Sequence, residues 1–206
     1  GSLAVVAPAA TAGAPPPTSG DSTAAAAIVA QMSLNEKIGQ LLQPDFRNWK
    51  RAGQSEESGL TRMNSEVASI VADYHLGGVI LFDYSCRTQQ YDNNIESPEQ
   101  VQRLCGEIAA LPSGPMVFID QEGGLVRRLK EGRGFAPLPS AKDFNHLAPD
   151  QKRQILTASF AEMRRLGIHY DFAPVIDVDY NPDNPNIGRI QRSYSADIAE
   201  VEANAL

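Results

Sequence analysis

An aspartate and a glutamate two residues apart, followed at once by two glycines and then by two arginines, are the side chains here best suited to chemistry. They lie in the stretch Ile119 to Leu129, Ile-Asp-Gln-Glu-Gly-Gly-Leu-Val-Arg-Arg-Leu. The apolar run Pro115-Met116-Val117-Phe118 precedes them, so the acidic pair stands where a buried strand opens into a turn. A carboxylate there loses water at a cost unless a polar group binds it, and the carboxyl ends of parallel strands are where βα folds hold their ligands. Gly123 and Gly124 permit a sharp turn and leave room beside the backbone. On an extended segment Asp120 and Glu122 would stand roughly 6 to 7 Å apart, near the dimension of a glycosidase carboxylate pair. The competing reading gives one of them to a substrate and the other to a neighbouring loop or arginine.

The elements that must position these groups alternate along the chain. Ser33-Leu34-Asn35-Glu36 has the form of a capping box, with Leu34, Ile38 and Leu41 on one face of a short helix. Residues 41–46 read as a weak first strand. Met63, Val67, Ile70, Val71 and Tyr74 form a helical stripe closed by Gly77-Gly78, and residues 78–82 read as a second, buried strand. Ser97-Pro98-Glu99-Gln100 opens a helix whose apolar face is Val101, Leu104, Cys105 and Ile108. A third strand is expected at 116–120. A long helix follows, with Leu156, Phe160, Met163 and Leu166 inward and Gly167 as its stop, then a fourth strand at 170–177. A last helix begins near Ser195.

Apolar strands followed by amphipathic helices mean a parallel sheet. Polar residues gathered after the strands suggest a (β/α)8 TIM-type barrel, a fold of about 250 residues. Only four strands are legible, so the chain is expected to supply the first four βα units. Residues 1–22, rich in Ala, Pro, Gly, Ser and Thr, read as a linker, and residues 23–206 as the barrel portion. Such a tail fits an exported domain, secreted, periplasmic or lipid-anchored, with the cytoplasm as the alternative. A last helix pattern that runs to Leu206 is the expectation for a chain cut within its barrel.

The net charge of −7 and the pI near 5.0 argue against nucleic acid or an anionic membrane as the main partner. No apolar run approaches the roughly 18 residues of a membrane-spanning helix. The two cysteines, Cys86 and Cys105, read either as free thiols, with Cys105 filling a helix face, or as a disulfide if the domain is exported. His75, His146 and His169 stand apart from one another and read as surface or satisfied core residues. Asp171, Asp179 and Asp183 read as strand-edge and turn residues.

Four stretches in order resemble the amino-terminal barrel domain of glycoside hydrolase family 3, in its β-N-acetylglucosaminidase branch. They are Met32 to Gln40, Gly77 to Phe82, the acidic-glycine segment from Ile119, and the loop Asn184 to Ser195. The resemblance implies that Asp120 accepts hydrogen bonds from sugar hydroxyls and that Arg128 also contacts the sugar, with Arg127 a structural neighbour. It implies a saccharide-binding arginine before Ser-Tyr, matched best by Arg192 with Arg189 as the fallback. Asp177 matches the acidic residue at the end of the fourth strand, a partner for that arginine or for a sugar hydroxyl. The substrate implied is a β-linked amino-sugar glycan such as peptidoglycan, cleaved with retention and without cofactor or metal. The family's Lys-His pair, Pro-Gly-His-type loop and nucleophilic aspartate have no counterpart in these 206 residues. The general acid/base and nucleophile are therefore expected beyond Leu206. The expected partners are the glycan and either the rest of the barrel or a second copy meeting the open strand edges; the alternative reading is a non-catalytic half-barrel that binds glycan or dimerises.

Overall fold

A computed structural model describes residues 19–205. Helix α1, Ser19–Gln31, is carried by the alanine run at 24–27, residues of the highest helix propensity. The linker expected at 1–22 thus lies largely outside the described residues, and its last four positions are helical. Helix α2, Leu34–Gln40, starts at the expected capping box: Ser33 accepts from the Glu36 N–H, and the Glu36 carboxylate accepts from the Ser33 N–H. Its apolar face stays exposed at Leu34, Ile38 and Leu41. A hairpin the sequence reading did not foresee follows, β1 Asn48–Trp49 against β2 Ser58–Gly59.

The central layer is a three-stranded parallel sheet. Asn64 caps α3, Ser65–Asp73, which buries Val67 and Val71 and leads to β3, Gly78–Ile80. Ser97 caps α4, Pro98–Ala109, with proline in its first turn, and Val101, Leu104, Cys105 and Ile108 are all buried as expected. Gln100 reaches back to the Glu96 N–H and donates to the Thr61 and Asn94 carbonyls, so it ties the helix start to the preceding loop. Strand β4, Met116–Ile119, comes next, and then a second hairpin, β5 Gln121–Gly123 with β6 Val126–Arg127. After the short α5, Ala141–Asn145, helix α6, Pro149–Leu166, delivers the chain to β7, Tyr170–Asp171, and α7, Ile198–Ala205, follows.

The sheet order is β3-β4-β7, every pair parallel, in the registers Val79↔Val117 and Phe118↔Tyr170. One βα crossover joins each strand to the next, so the chain steps outward in one direction. Val117 and Ile119 point into the helical layer, where α4 packs on β4 and α6. Phe118 points the other way, with its ring 5.5 Å from those of both Tyr170 and Phe172. That ring lies over Gly78, where a Cβ would come within 2.2 Å of it. Only glycine lets the two strands pair with phenylalanine at that site.

Three expectations are corrected here. The first strand at 41–46 reduces to a single parallel bridge, Asp45 to Ile80, with the Ile80 N–H donating to the Pro44 carbonyl; Pro44 itself has no N–H to extend a ladder. The fourth strand, expected over 170–177, ends at Asp171. Beyond the Phe172 N–H bond to Ile119 O, the segment finds no strand to pair with among the described residues, and Pro174 lacks a donor. Leu156 and Phe160, expected inward, are 37% and 55% exposed, because nothing described covers that side of α6.

The disulfide reading is also corrected: Cys86 and Cys105 are both free, the first exposed and the second buried. Cys105 sits on the inward face of α4, and joining it to an exposed loop would mean withdrawing it from the core. Burial pushes its thiol up to about 12, which removes the reactive thiolate. A thiol reagent should therefore modify Cys86 in the native protein and reach Cys105 only on unfolding, as followed by mass spectrometry. Equal rates at the two sites would contradict this packing.

Candidate functional site

The site is built on the ends of β4 and β7 and on the hairpin that follows β4. Asp120 occupies the break between β4 and β5. Gln121 is buried, and its side-chain oxygen accepts from the Arg128 and Leu129 N–H groups, each at 3.0 Å. One amide thus fixes the far arm of the hairpin, and with it the starting point of the Arg128 side chain. The turn itself needs Gly123, at φ 103°, and is pinned by the Gly124 N–H donating to Leu138 O.

Two carboxylate–guanidinium pairs result. Arg128 Nη2 donates to Asp120 Oδ2 at 2.7 Å, both side chains about four-fifths buried. Arg192 donates from Nε and Nη2 to the two oxygens of Glu122, each at 2.7 Å, and from Nη1 to the Asn186 carbonyl. A forked pair of this kind fixes the guanidinium plane as well as its position. The Glu122 carboxylate pushes the Arg192 guanidinium further up, and Asp177 and Asp120 act on it in the same direction through their charge. The residues singled out from the sequence therefore share one end of the sheet.

One assignment changes in detail. Asp177, expected to partner either Arg192 or a sugar hydroxyl, has an exposed side chain; the direct partner of Arg192 is Glu122, while the Asp177 backbone carbonyl accepts from the Ser193 hydroxyl. Glu122 thus takes the orienting role, as the competing reading of the acidic pair had it. Arg189, the fallback, is largely exposed and lies 3.9 Å from an exposed Asp183. Asparagine side chains set the loop that presents Arg192: Asn181 accepts from the Asp183 N–H, and Asn184 from those of Asn186 and Ile187. Arg127 is structural, bonded to Glu131 and to Leu138 O. His169 is likewise satisfied, its Nδ1 accepting from the Val117 N–H.

Four contributors were missed. Asp171, read as a strand-edge residue, accepts from the Gln121 N–H at 2.8 Å and braces the site from β7. Burial first, and the charges of Asp120 and Glu122 after it, raise its carboxyl to about 6. A carboxyl with a raised folded-state pKa holds its proton more tightly when folded, so its stabilising effect is present at low pH and declines between about pH 4 and 6. Asp171→Asn should flatten that part of the stability–pH curve and leave the protein relatively more stable at pH 7, by denaturant titration across this range. An unchanged pH slope would contradict the assignment. Asp83 and Lys130 also went unnoticed, although Asp83 directly follows the apolar run Val79 to Phe82 as Asp120 follows β4. Arg47, the fourth, stacks over Phe82 at 3.6 Å and bonds Asp45 at 2.5 Å.

Beneath the Arg192–Glu122 pair is a cavity of about 350 Å³, with Leu138, Phe144 and Phe160 among its apolar walls and Asp171 and Tyr194 on its polar side.

Parallel strands joined by single helical crossovers, with arginine-held carboxylates at their carboxyl ends, make this an α/β domain with its site where such folds bind ligands. Residues 33–206 match the Glycosyl hydrolase family 3 N terminal domain, and the chain belongs to that family of glycosidases. It is 31% identical over 186 residues to the beta-hexosaminidase LpqI of Mycobacterium tuberculosis, a match over 87% of this chain and 40% of that protein. Its fold is similar to a glycoside hydrolase family 3 beta-N-acetylglucosaminidase from a Paenibacillus species, with TM-score 0.67, 26% identity, and coverage of 84% of this chain and 30% of that one. It is also similar to a beta-N-acetylhexosaminidase from Beutenbergia cavernae, with TM-score 0.63, 27% identity, and coverage of 85% and 49%. The chain thus spans less than half the length of each of these relatives.

Proposed function

We propose that this chain is the saccharide-binding half of a retaining glycoside hydrolase that removes β-linked N-acetylglucosamine from amino-sugar glycans such as peptidoglycan fragments. The observation that carries the reading is the pair of arginine-held carboxylates at one sheet end. Arg128 engages one oxygen of Asp120, which leaves the other to accept from a sugar hydroxyl. The forked grip of Glu122 on Arg192 prepares that guanidinium for rigid contact with hydroxyl or carbonyl oxygens. The names of the relatives, beta-hexosaminidase and beta-N-acetylglucosaminidase, supply the amino-sugar class.

Retaining hydrolysis needs a nucleophile and a proton donor on opposite sides of the glycosidic bond. Asp120 and Glu122 are each committed to an arginine, so neither takes that part. In this reading the chain supplies four βα units of an eight-unit barrel, and the catalytic groups come from the length that the relatives have and this chain does not span. The exposed aromatic face of Tyr170 and Phe172 and the exposed Leu34 and Leu41 are then where the remaining units, or a second copy, would pack. Among the described residues no helix is long and apolar enough to cross a membrane; the Ala/Pro-rich tail supports an exported location.

A chromogenic β-N-acetylglucosaminide tests the assignment. The longer protein should hydrolyse it with retained anomeric configuration, and the 206-residue chain should show no turnover. Robust hydrolysis by the pure chain would make Asp120 and Glu122 the catalytic pair.

A further inference from the structure

Asp83 is only 1% exposed, and no helix start uses it as a cap. A carboxylate this deep keeps its charge only beside cations, and two reach it. Lys130 Nζ lies 2.8 Å from Oδ2, and Arg128 Nη1 lies 3.8 Å from Oδ1. Arg128 is therefore drawn from two sides, by Asp120 on Nη2 and by Asp83 on Nη1, with its guanidinium carbon 4.8 Å from the Phe82 ring centre. Lys130 is itself fixed, 3.9 Å over the ring of Tyr91.

We propose that Asp83 is a positioning residue that sets the orientation of Arg128 toward the saccharide, with Lys130 as its counter-charge. The proposal rests on the reading of Asp120 and Arg128 as sugar-binding groups. A single bond to Asp120 would let the guanidinium swivel; a second anion facing the other terminal nitrogen removes that freedom before any sugar arrives. Asp83 also competes with Asp120 for the same cation. Without it Arg128 would turn fully onto Asp120 and occupy the oxygen that the sugar hydroxyl needs, while Lys130 would be left without its carboxylate.

The test uses the isotope-labelled chain with Asp83→Asn, of unchanged shape, and the double variant Asp83→Asn/Lys130→Met, which keeps the buried charge balanced and so guards against misfolding. Two quantities are read, the Arg128 Nε–H resonance and the affinity for N-acetylglucosamine. Both variants should shift or broaden the Arg128 signal, leave that of Arg192 in place, and bind the sugar about tenfold more weakly. Recovery of wild-type signal and affinity in the double variant would mean that Asp83 only neutralises Lys130, and would overturn the proposal. An unmoved Arg128 signal in Asp83→Asn would overturn it too. If the unaltered chain binds no N-acetylglucosamine, the reading of the site fails, and the Arg128 resonance still decides the positioning role by itself.

Discussion

Replacing Glu122 by glutamine is expected to weaken N-acetylglucosamine binding by roughly 10- to 100-fold, the loss that follows from removing roughly 1.5–3 kcal/mol of charged hydrogen bonding. Arg192 presents two parallel N–H groups to two carboxylate oxygens, both at 2.7 Å. Glutamine keeps one acceptor and puts an amide N–H₂, a donor, against the second guanidinium nitrogen. The Glu122 side chain is only 9% exposed, so water cannot readily replace the missing oxygen. Arg192 then keeps one bond to the glutamine oxygen and its bond to Asn186 O, and loses the forked grip that fixes its plane. Arg189→Ala is the control: that side chain is largely exposed, and its loss should leave affinity unchanged. Calorimetric titration of the sugar into the three proteins reads the effect directly. Wild-type affinity in Glu122→Gln would show that the held orientation of Arg192 contributes nothing to binding.

Gly123→Ala should be the most damaging small change in the hairpin. Its φ of 103° is one that alanine adopts only under strain, and the added Cβ would lie 2.0 Å from the Pro139 carbonyl oxygen, a backbone atom that cannot swing aside. Strain and clash together should cost about 3 kcal/mol or more, a fall in melting temperature of about 2–4 °C for each kcal/mol. Gly106→Ala makes the contrast. Gly106 lies within α4 and an added Cβ would meet nothing within 4 Å, so alanine there should stabilise by about 0.5–1 kcal/mol. Equal melting temperatures for the two variants would mean that the turn at Gly123 is not as described.

Those two glycines also show how far the sequence could be read. Local signals carried well: the Ser33–Glu36 box, Ser97-Pro98 before α4 and the stripe Val101 to Ile108 all formed as written. The individual site residues were legible for the same reason, since a motif names its own members. What joins them was less legible. Nothing local links Glu122 to an arginine 70 residues away, so the obvious acidic neighbour, Asp177, took its place. Asp171 looked like an edge residue because its bond to the Gln121 N–H depends on the register of β7 against β4. The expected strand at 170–177 stopped early, since alternation shows that a segment can pair but not that a neighbour exists. The same holds for Leu156 and Phe160: helical spacing defines a face, and only the surrounding chain decides whether it is covered.

If Asp120 and Arg128 form a saccharide-binding pair, removing the Asp120 carboxylate must weaken the sugar's hold. N-acetylglucosamine is titrated into the unaltered chain and into Asp120→Ala, with melting curves confirming that both remain folded. The unaltered chain should bind saturably and the variant should lose affinity on the order of tenfold or more, because a largely buried carboxylate that accepts from a sugar hydroxyl contributes about 1.5–3 kcal/mol. Equal affinity in the two proteins would contradict this and remove Asp120 from the binding site.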